Sequence, residues 1–192
     1  IMTELEEKKI NQLFQFFVNN GFDHTVEEIS VSLKITPKTL YNRYQNKTNM
    51  IFETLTYWQK LVVQRINEKT IYCNNSIEAL IILICEIELC RQTETSFFHF
   101  KKDDLLGDDQ YGNSEWENCL ISIISNDKYQ SFDKRINIET FVKYFFTNLL
   151  FYLSKRNLFI ETIHYILQPL LTESGKEKFN EVDFETLLIS QK

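Results

Sequence analysis

Three helix-opening signals crowd into residues 25–46, and they leave little choice about how that stretch folds. Thr25 with Glu28 three positions on is a capping box, in which each side chain satisfies a backbone N–H near the other residue. Thr36 followed by Pro37 is a second N-cap, with proline at the first helical position, where its missing N–H leaves nothing unpaired. Asn46 reads as a third N-cap. Val26, Ile29 and Leu33 point inward from the first helix, and Leu40, Tyr41 and Tyr44 mark the next. Each helix is about two turns long and too short to persist alone in water, so each needs the other. Helix, tight turn and helix in this order is the geometry whose second helix lies in a DNA major groove.

The charge of the stretch agrees with that use. Lys34, Lys38, Arg43 and Lys47 fall within residues 34–47 with no acid among them, in a chain of formal net charge −6. Residues 1–69 hold 9 Lys/Arg against 8 Asp/Glu, whereas residues 70–192 hold 12 against 19. An acidic protein still binds nucleic acid when its cations gather on one surface.

The rest of the chain reads as helix. With Gly 4 and Pro 2 in 192 residues, there are too few turn formers for a sheet protein. Ile10, Leu13, Phe14 and Phe17 follow the i, i+3, i+4, i+7 pattern of an amphipathic helix, and Gly21 is placed to end it in a left-handed turn. From Asn46 a long helix runs through Trp58 and Ile66 to about Lys69, and Ser76 opens an all-round apolar helix to about Cys90. Further helices are expected over Ser114–Ile124, Arg135–Lys155 and Leu158–Thr172, the last disturbed at Gln168-Pro169. The stretch 176–192 is a short extra helix or a tail.

Residues 8 to about 55 resemble the N-terminal DNA-binding domain of the tetracycline-repressor (TetR) family of bacterial regulators. The resemblance rests on an apolar first helix ending in Gly21-Phe22, on Thr25-x-x-Glu28-Ile29 and on Ile35-Thr36. Its most specific part is Thr39-Leu40-Tyr41 followed by Tyr44-x-Asn46-Lys47 and an apolar Met50. It implies an all-α fold, with a three-helix helix-turn-helix DNA-binding domain over 1–48 and a helical ligand-binding and dimerisation domain over 49–192. The family usually has glycine in the turn, where this chain has Lys34. Either the turn is remodelled, or the lysine tolerates φ > 0 at about 1 kcal/mol and adds a cation near the DNA backbone.

Thr36, Lys38, Thr39 and Asn42 occupy the early, outward part of the third helix, the part that meets base edges. Asn favours adenine, Lys guanine, and a threonine methyl suits thymine. Thr25, Tyr41, Arg43 and Lys47 are better placed for phosphates, which position without reading sequence; Tyr41 and Lys47 match the family's usual backbone contacts. With Lys34 and Pro37 these complete the expected interface. One such head binds weakly, so a homodimer would set two heads one helical turn of a double-stranded operator apart, about 34–36 Å. Phe159, Ile163, Ile166, Leu167 and Leu170 are the candidate dimer residues, or else they close the monomer's own core. The resemblance also implies an effector pocket in the body, with Phe97, Phe98, Phe100, Trp116, Tyr144 and Phe145 as candidate lining and a largely apolar ligand.

Catalysis finds little support. His24, His99 and His164 are far apart, and His99 with Asp103 lacks a third metal ligand; no phosphate loop, nucleophile elbow or zinc spacing occurs. No cofactor is expected. Cys73, Cys85, Cys90 and Cys119 form no C-x-x-C pair and read as free thiols in a reducing compartment. Nothing resembles a signal peptide, and the apolar run 79–85 is far shorter than the ~20 residues of a membrane span, so the expected location is cytoplasmic. The sequence thus points to a TetR-type regulator, a repressor released by its ligand. The alternatives are a TetR-like protein acting through a protein partner as a co-activator, and a helical ligand-binding protein without operator binding.

Overall fold

A computed structural model describes residues 4–98, 115–128, 130–153 and 159–183. The described residues are helical throughout, apart from loops and one isolated bridge between Phe132 and Leu171. The chain divides into two compact units, Ile1–Val62 with Leu89–Gly112, and Val63–Glu88 with Asn113–Lys192.

The first unit begins with α1 (Glu4–Asn20), α2 (Val26–Ser32) and α3 (Pro37–Tyr44), and takes in most of α4 (Lys47–Thr70). The end of α5 (Ser76–Thr93) and the one-turn α6 (Thr95–Phe98) complete it. Gly21 sits at φ +75 and its N–H bonds the Phe17 carbonyl at 2.9 Å, the left-handed stop that the sequence calls for. An added Cβ at Gly21 would meet nothing, so glycine is there for its backbone freedom and not for space. Leu13, Phe14, Phe17, Ile29, Leu40 and Met50 are buried, which is how three short helices come to share one core. Phe97 of α6 closes this core. Its ring lies 5.2 Å from Phe14, 5.0 Å from Phe22 and 5.4 Å from Trp58. Beside it, Ser96 Oγ donates to the Phe17 carbonyl at 2.9 Å.

The second unit holds the end of α4, most of α5, α7 (Glu115–Ser125), α8 (Ile138–Leu153), α9 (Phe159–Leu167) and α10 (Glu173–Glu181). Within α5, Ile77, Leu80, Ile81, Leu83 and Ile87 are fully enclosed, as its apolar run requires. One acid is enclosed with them. Glu86 receives a hydrogen bond from Arg65 Nε at 3.1 Å and another from Lys69 Nζ, both on α4. α7 packs on α8 and α8 on α9. At Pro169 the helix gives way to a 3-10 turn, Gln168–Leu170, because proline has no N–H for the ladder. α10 then starts on a Thr172 cap and packs closely on the 131–133 segment. A Cβ at Gly175 would stand 2.1 Å from the Ser131 carbonyl oxygen, so only glycine fits there.

Candidate nucleic-acid interface

The caps read from the sequence form with their expected geometry. Thr25 N donates to Glu28 Oε2 at 2.8 Å, and Glu28 N returns the bond to Thr25 Oγ1 at 3.2 Å. Thr39 N donates to Thr36 Oγ1 at 3.2 Å, and Asn49 N to Asn46 Oδ1 at 2.8 Å. The Thr36 hydroxyl is therefore engaged in its cap, and it also lies 2.9 Å from the Thr39 hydroxyl.

The α2–α3 turn keeps its left-handed form with a lysine in it. Lys34 has φ +56. Ile35 N bonds the Ser30 carbonyl at 3.0 Å and Lys34 N bonds the Val31 carbonyl at 3.1 Å, the paired bonds of a Schellman stop. Lys34 thus occupies the position that glycine usually takes, and its side chain is exposed. Of the two outcomes open at the sequence level, tolerated strain is the one found.

α3 has two faces. Leu40 and Tyr44 are buried, each with 2% of its surface exposed, while Lys38, Thr39 and Asn42 face outward. Tyr41 is 44% exposed. The Tyr44 ring packs under the Arg43 guanidinium, 5.1 Å from ring centre to Cζ, and burial raises its hydroxyl's pKa. Arg43, expected at phosphates, is engaged within the unit. Nη1 donates to Glu6 Oε1 of α1 at 3.1 Å, and Nη2 lies 3.9 Å from Glu53 Oε2 of α4. A phosphate would have to compete with both carboxylates.

The α3–α4 joint is tight. Gln45 takes φ +65 and ψ −43, and Asn46 N bonds the Tyr44 carbonyl at 2.8 Å, a strained γ-turn. It sets Lys47 at the first position of α4, half-buried, where the helix N-terminus adds to its positive charge. Thr25, Thr36 and Lys34 are exposed and Pro37 half-buried, so the ten interface candidates lie together along α2, its turn, α3 and the opening of α4.

The aromatic effector candidates are not gathered in the same way. Phe97 belongs to the first unit, in its filled aromatic core; Trp116, Tyr144 and Phe145 belong to the second. Trp116 and Phe145 are buried, whereas Tyr144 is exposed. Phe100 and the side chain of Phe98 lie outside the described residues. Among the described residues, the walls of cavities of about 430 Å³ in the second unit, 480 Å³ beside α3 and 100 Å³ between α9 and α10 include none of Phe97, Trp116, Tyr144 and Phe145. Among the dimer candidates, Ile163, Ile166, Leu167 and Leu170 are buried within the single chain. The side chain of Phe159 is outside the described residues. Burial pushes the thiols of Cys73 and Cys119 up to about 11 and that of Cys85 to about 12, and none of the four cysteines is in a disulfide with a described residue.

The fold is that of TetR-type regulators. A protein from Rhodococcus sp. RHA1 assigned as a transcriptional regulator aligns over 84% of this chain and 91% of its own, with TM-score 0.63 and 13% identity. The TetR family transcriptional regulator PfmR from Thermus thermophilus aligns over 84% of this chain and 96% of its own, with TM-score 0.53 and 12% identity. The structure of superantigen pfit also aligns, over 90% of this chain and 93% of its own, with TM-score 0.57 and 14% identity. At such identities the likeness concerns the fold, and a fold hosts more than one function. No model of a protein family and no curated protein sequence matches the chain.

Proposed function

We propose that the chain is a TetR-type transcriptional regulator whose head, residues 1–48, reads a palindromic double-stranded operator, and whose body, 49–192, dimerises and senses a small molecule that releases the protein from DNA. The observation that carries this reading is the two-faced α3: Leu40 and Tyr44 anchor it in the core while Lys38, Thr39 and Asn42 stand outward together. In this reading Lys38 and Asn42 are the principal base readers, and Thr36 and Thr39 support them through their shared cap. Thr25, Lys34, Tyr41 and Lys47 contact phosphates. The homodimer would use the outer faces of α8 and α9, where Tyr144 and Tyr165 are exposed, since the apolar faces of α9 are already spent on the monomer's core. Trp116 and Phe145, both buried in the second unit, remain the aromatic candidates for contact with an effector.

A second reading, action through a protein partner as a co-activator, has its own support. Arg43 is held by Glu6 and Glu53, which lowers the positive charge the head can offer to DNA. Selection from random double-stranded DNA separates the two. The regulator reading expects an enriched two-fold symmetric sequence; no enrichment favours the partner reading. Lys47→Ala should weaken all sequences alike, whereas Lys38→Ala and Asn42→Ala should alter the preference between them. Light scattering at micromolar concentration should give a dimer mass, and a monomer mass refutes the homodimer.

A further inference from the structure

The cavity of about 430 Å³ in the second unit has a wall unlike the rest of the body. It is built from the end of α4 (Ile66, Asn67, Thr70), the loop that opens α5, and α7 (Cys119, Ser122), with Asn126 and Lys128 beyond its end. Residues 70–192 carry 19 acids, yet among the described residues none of their carboxylates lines this wall, whose charged lining group is the Lys128 ammonium; the Glu78 carboxylate lies at the rim, held by Asn74 and Asn75. Lys128 is exposed and forms no ion pair with a described residue. Amides and hydroxyls make up most of the remaining lining, over an apolar floor at Ile66.

The rim is held in place before any ligand arrives. Asn75 Oδ1 accepts from Ile77 N at 2.9 Å and Glu78 N at 3.0 Å, while the Asn74 and Asn75 side-chain amides donate to Glu78. Across the cavity Asn126 Nδ2 donates to Ser122 Oγ at 3.3 Å, which leaves the Ser122 proton and the Asn126 carbonyl for another partner. The volume falls in the range of small-molecule sites, about 300–1,000 Å³. An apolar ligand would strip water from these amides and hydroxyls without replacing its hydrogen bonds, which is unfavourable. A dense set of ligand hydroxyls would replace them, and the Lys128 ammonium, unpaired among the described residues, asks for one anionic group.

We infer that this cavity binds a small polyhydroxylated anion, a sugar phosphate or a sugar acid, with its anionic group on Lys128 and its hydroxyls on Asn67, Ser122 and Asn126. Binding is a property of this cavity by itself. Its regulatory consequence, a change in DNA affinity with occupancy, rests on the proposed regulator function. The ligand chemistry is the reverse of the largely apolar effector expected from the aromatic residues.

The test is calorimetric titration and thermal melting of the full chain with glucose 6-phosphate, gluconate, glucose and inorganic phosphate at millimolar concentration. Glucose 6-phosphate or gluconate should bind saturably and raise Tm, with the better of the two identifying the anion. Glucose should bind at least about tenfold more weakly, since it forfeits the charge-assisted bond. Asn67 and Lys128 are exposed, so Asn67→Ala and Lys128→Ala should fold normally; each should weaken binding by about tenfold. No binding by either anion overturns the inference, as do inorganic phosphate binding as tightly as the sugar phosphate (an adventitious ion only) and binding untouched by both substitutions. Operator binding measured on the same samples without ligand keeps the two claims apart. Its absence refutes the regulator reading and leaves the titration to decide the cavity.

Discussion

Each compact unit carries a cluster of three charges, and the two are built in opposite ways. In the first unit a single cation, Arg43, lies between two acids, Glu6 and Glu53, and all three remain partly exposed. In the second a single acid, Glu86, is fully buried between two cations, Arg65 and Lys69, each about 30% exposed at 32% and 28%. Exposed pairs contribute little because water screens them and ordering long side chains costs entropy. A buried carboxylate depends on its partners, because alone it would be an uncompensated charge in the core. The body cluster therefore answers for stability. The head cluster answers for where a cation of α3 is allowed to point.

Removing both body cations gives the largest expected effect. Arg65→Met with Lys69→Met strands Glu86 and should lower unfolding free energy by about 3–5 kcal/mol in a urea titration. A loss below about 1 kcal/mol would show the body cluster to be no different from the head's. Lys34→Gly acts next and with opposite sign. Relief of the left-handed lysine, about 1–2 kcal/mol, outweighs the extra freedom of glycine in the unfolded chain, so stability should rise by about 0.5–1 kcal/mol. If Lys34 contacts a phosphate, the log–log salt slope of DNA binding should become shallower by about 0.9 in the same variant. Arg43→Met should cost less than about 1 kcal/mol by the same urea titration. The smallest stability change, about 0.5 kcal/mol or less, belongs to the pair Glu6→Gln with Glu53→Gln. Its readout is DNA binding: a released Arg43 should tighten affinity and steepen the salt slope by about 0.9. An unchanged slope would mean that Arg43 stays on α3 as a strut, whatever its partners.

The comparison also explains what was legible in the sequence. The helix boundaries of the first unit's opening stretch are written locally. Thr25 with Glu28, Thr36 with Pro37, Asn46 and Gly21 each act within about four residues, so a reader of the chain meets signal and effect together. Contacts between distant segments leave no such mark. Arg43 meets Glu6 across 37 residues, and the Gly175 approach to Ser131 joins segments that share no pattern. Nothing in the γ-turn sequence Tyr44-Gln45-Asn46 announces a positive φ at Gln45. Residue type alone does not tell Tyr144 from Phe145, yet as neighbours on α8 they lie about 100° apart around it, so one is exposed and the other buried. The polar cavity joins α4, α5 and α7 and is visible only once those helices are in place.

The central claim is that the outward face of α3 reads DNA. Selection of bound sequences from random double-stranded DNA by the purified chain tests it most directly, with Lys38→Ala and Asn42→Ala run in parallel. The account predicts an enriched two-fold symmetric site for the wild-type protein and an altered site for each variant. Recovery of random sequence by the wild-type protein, or one unaltered site for all three, would contradict it.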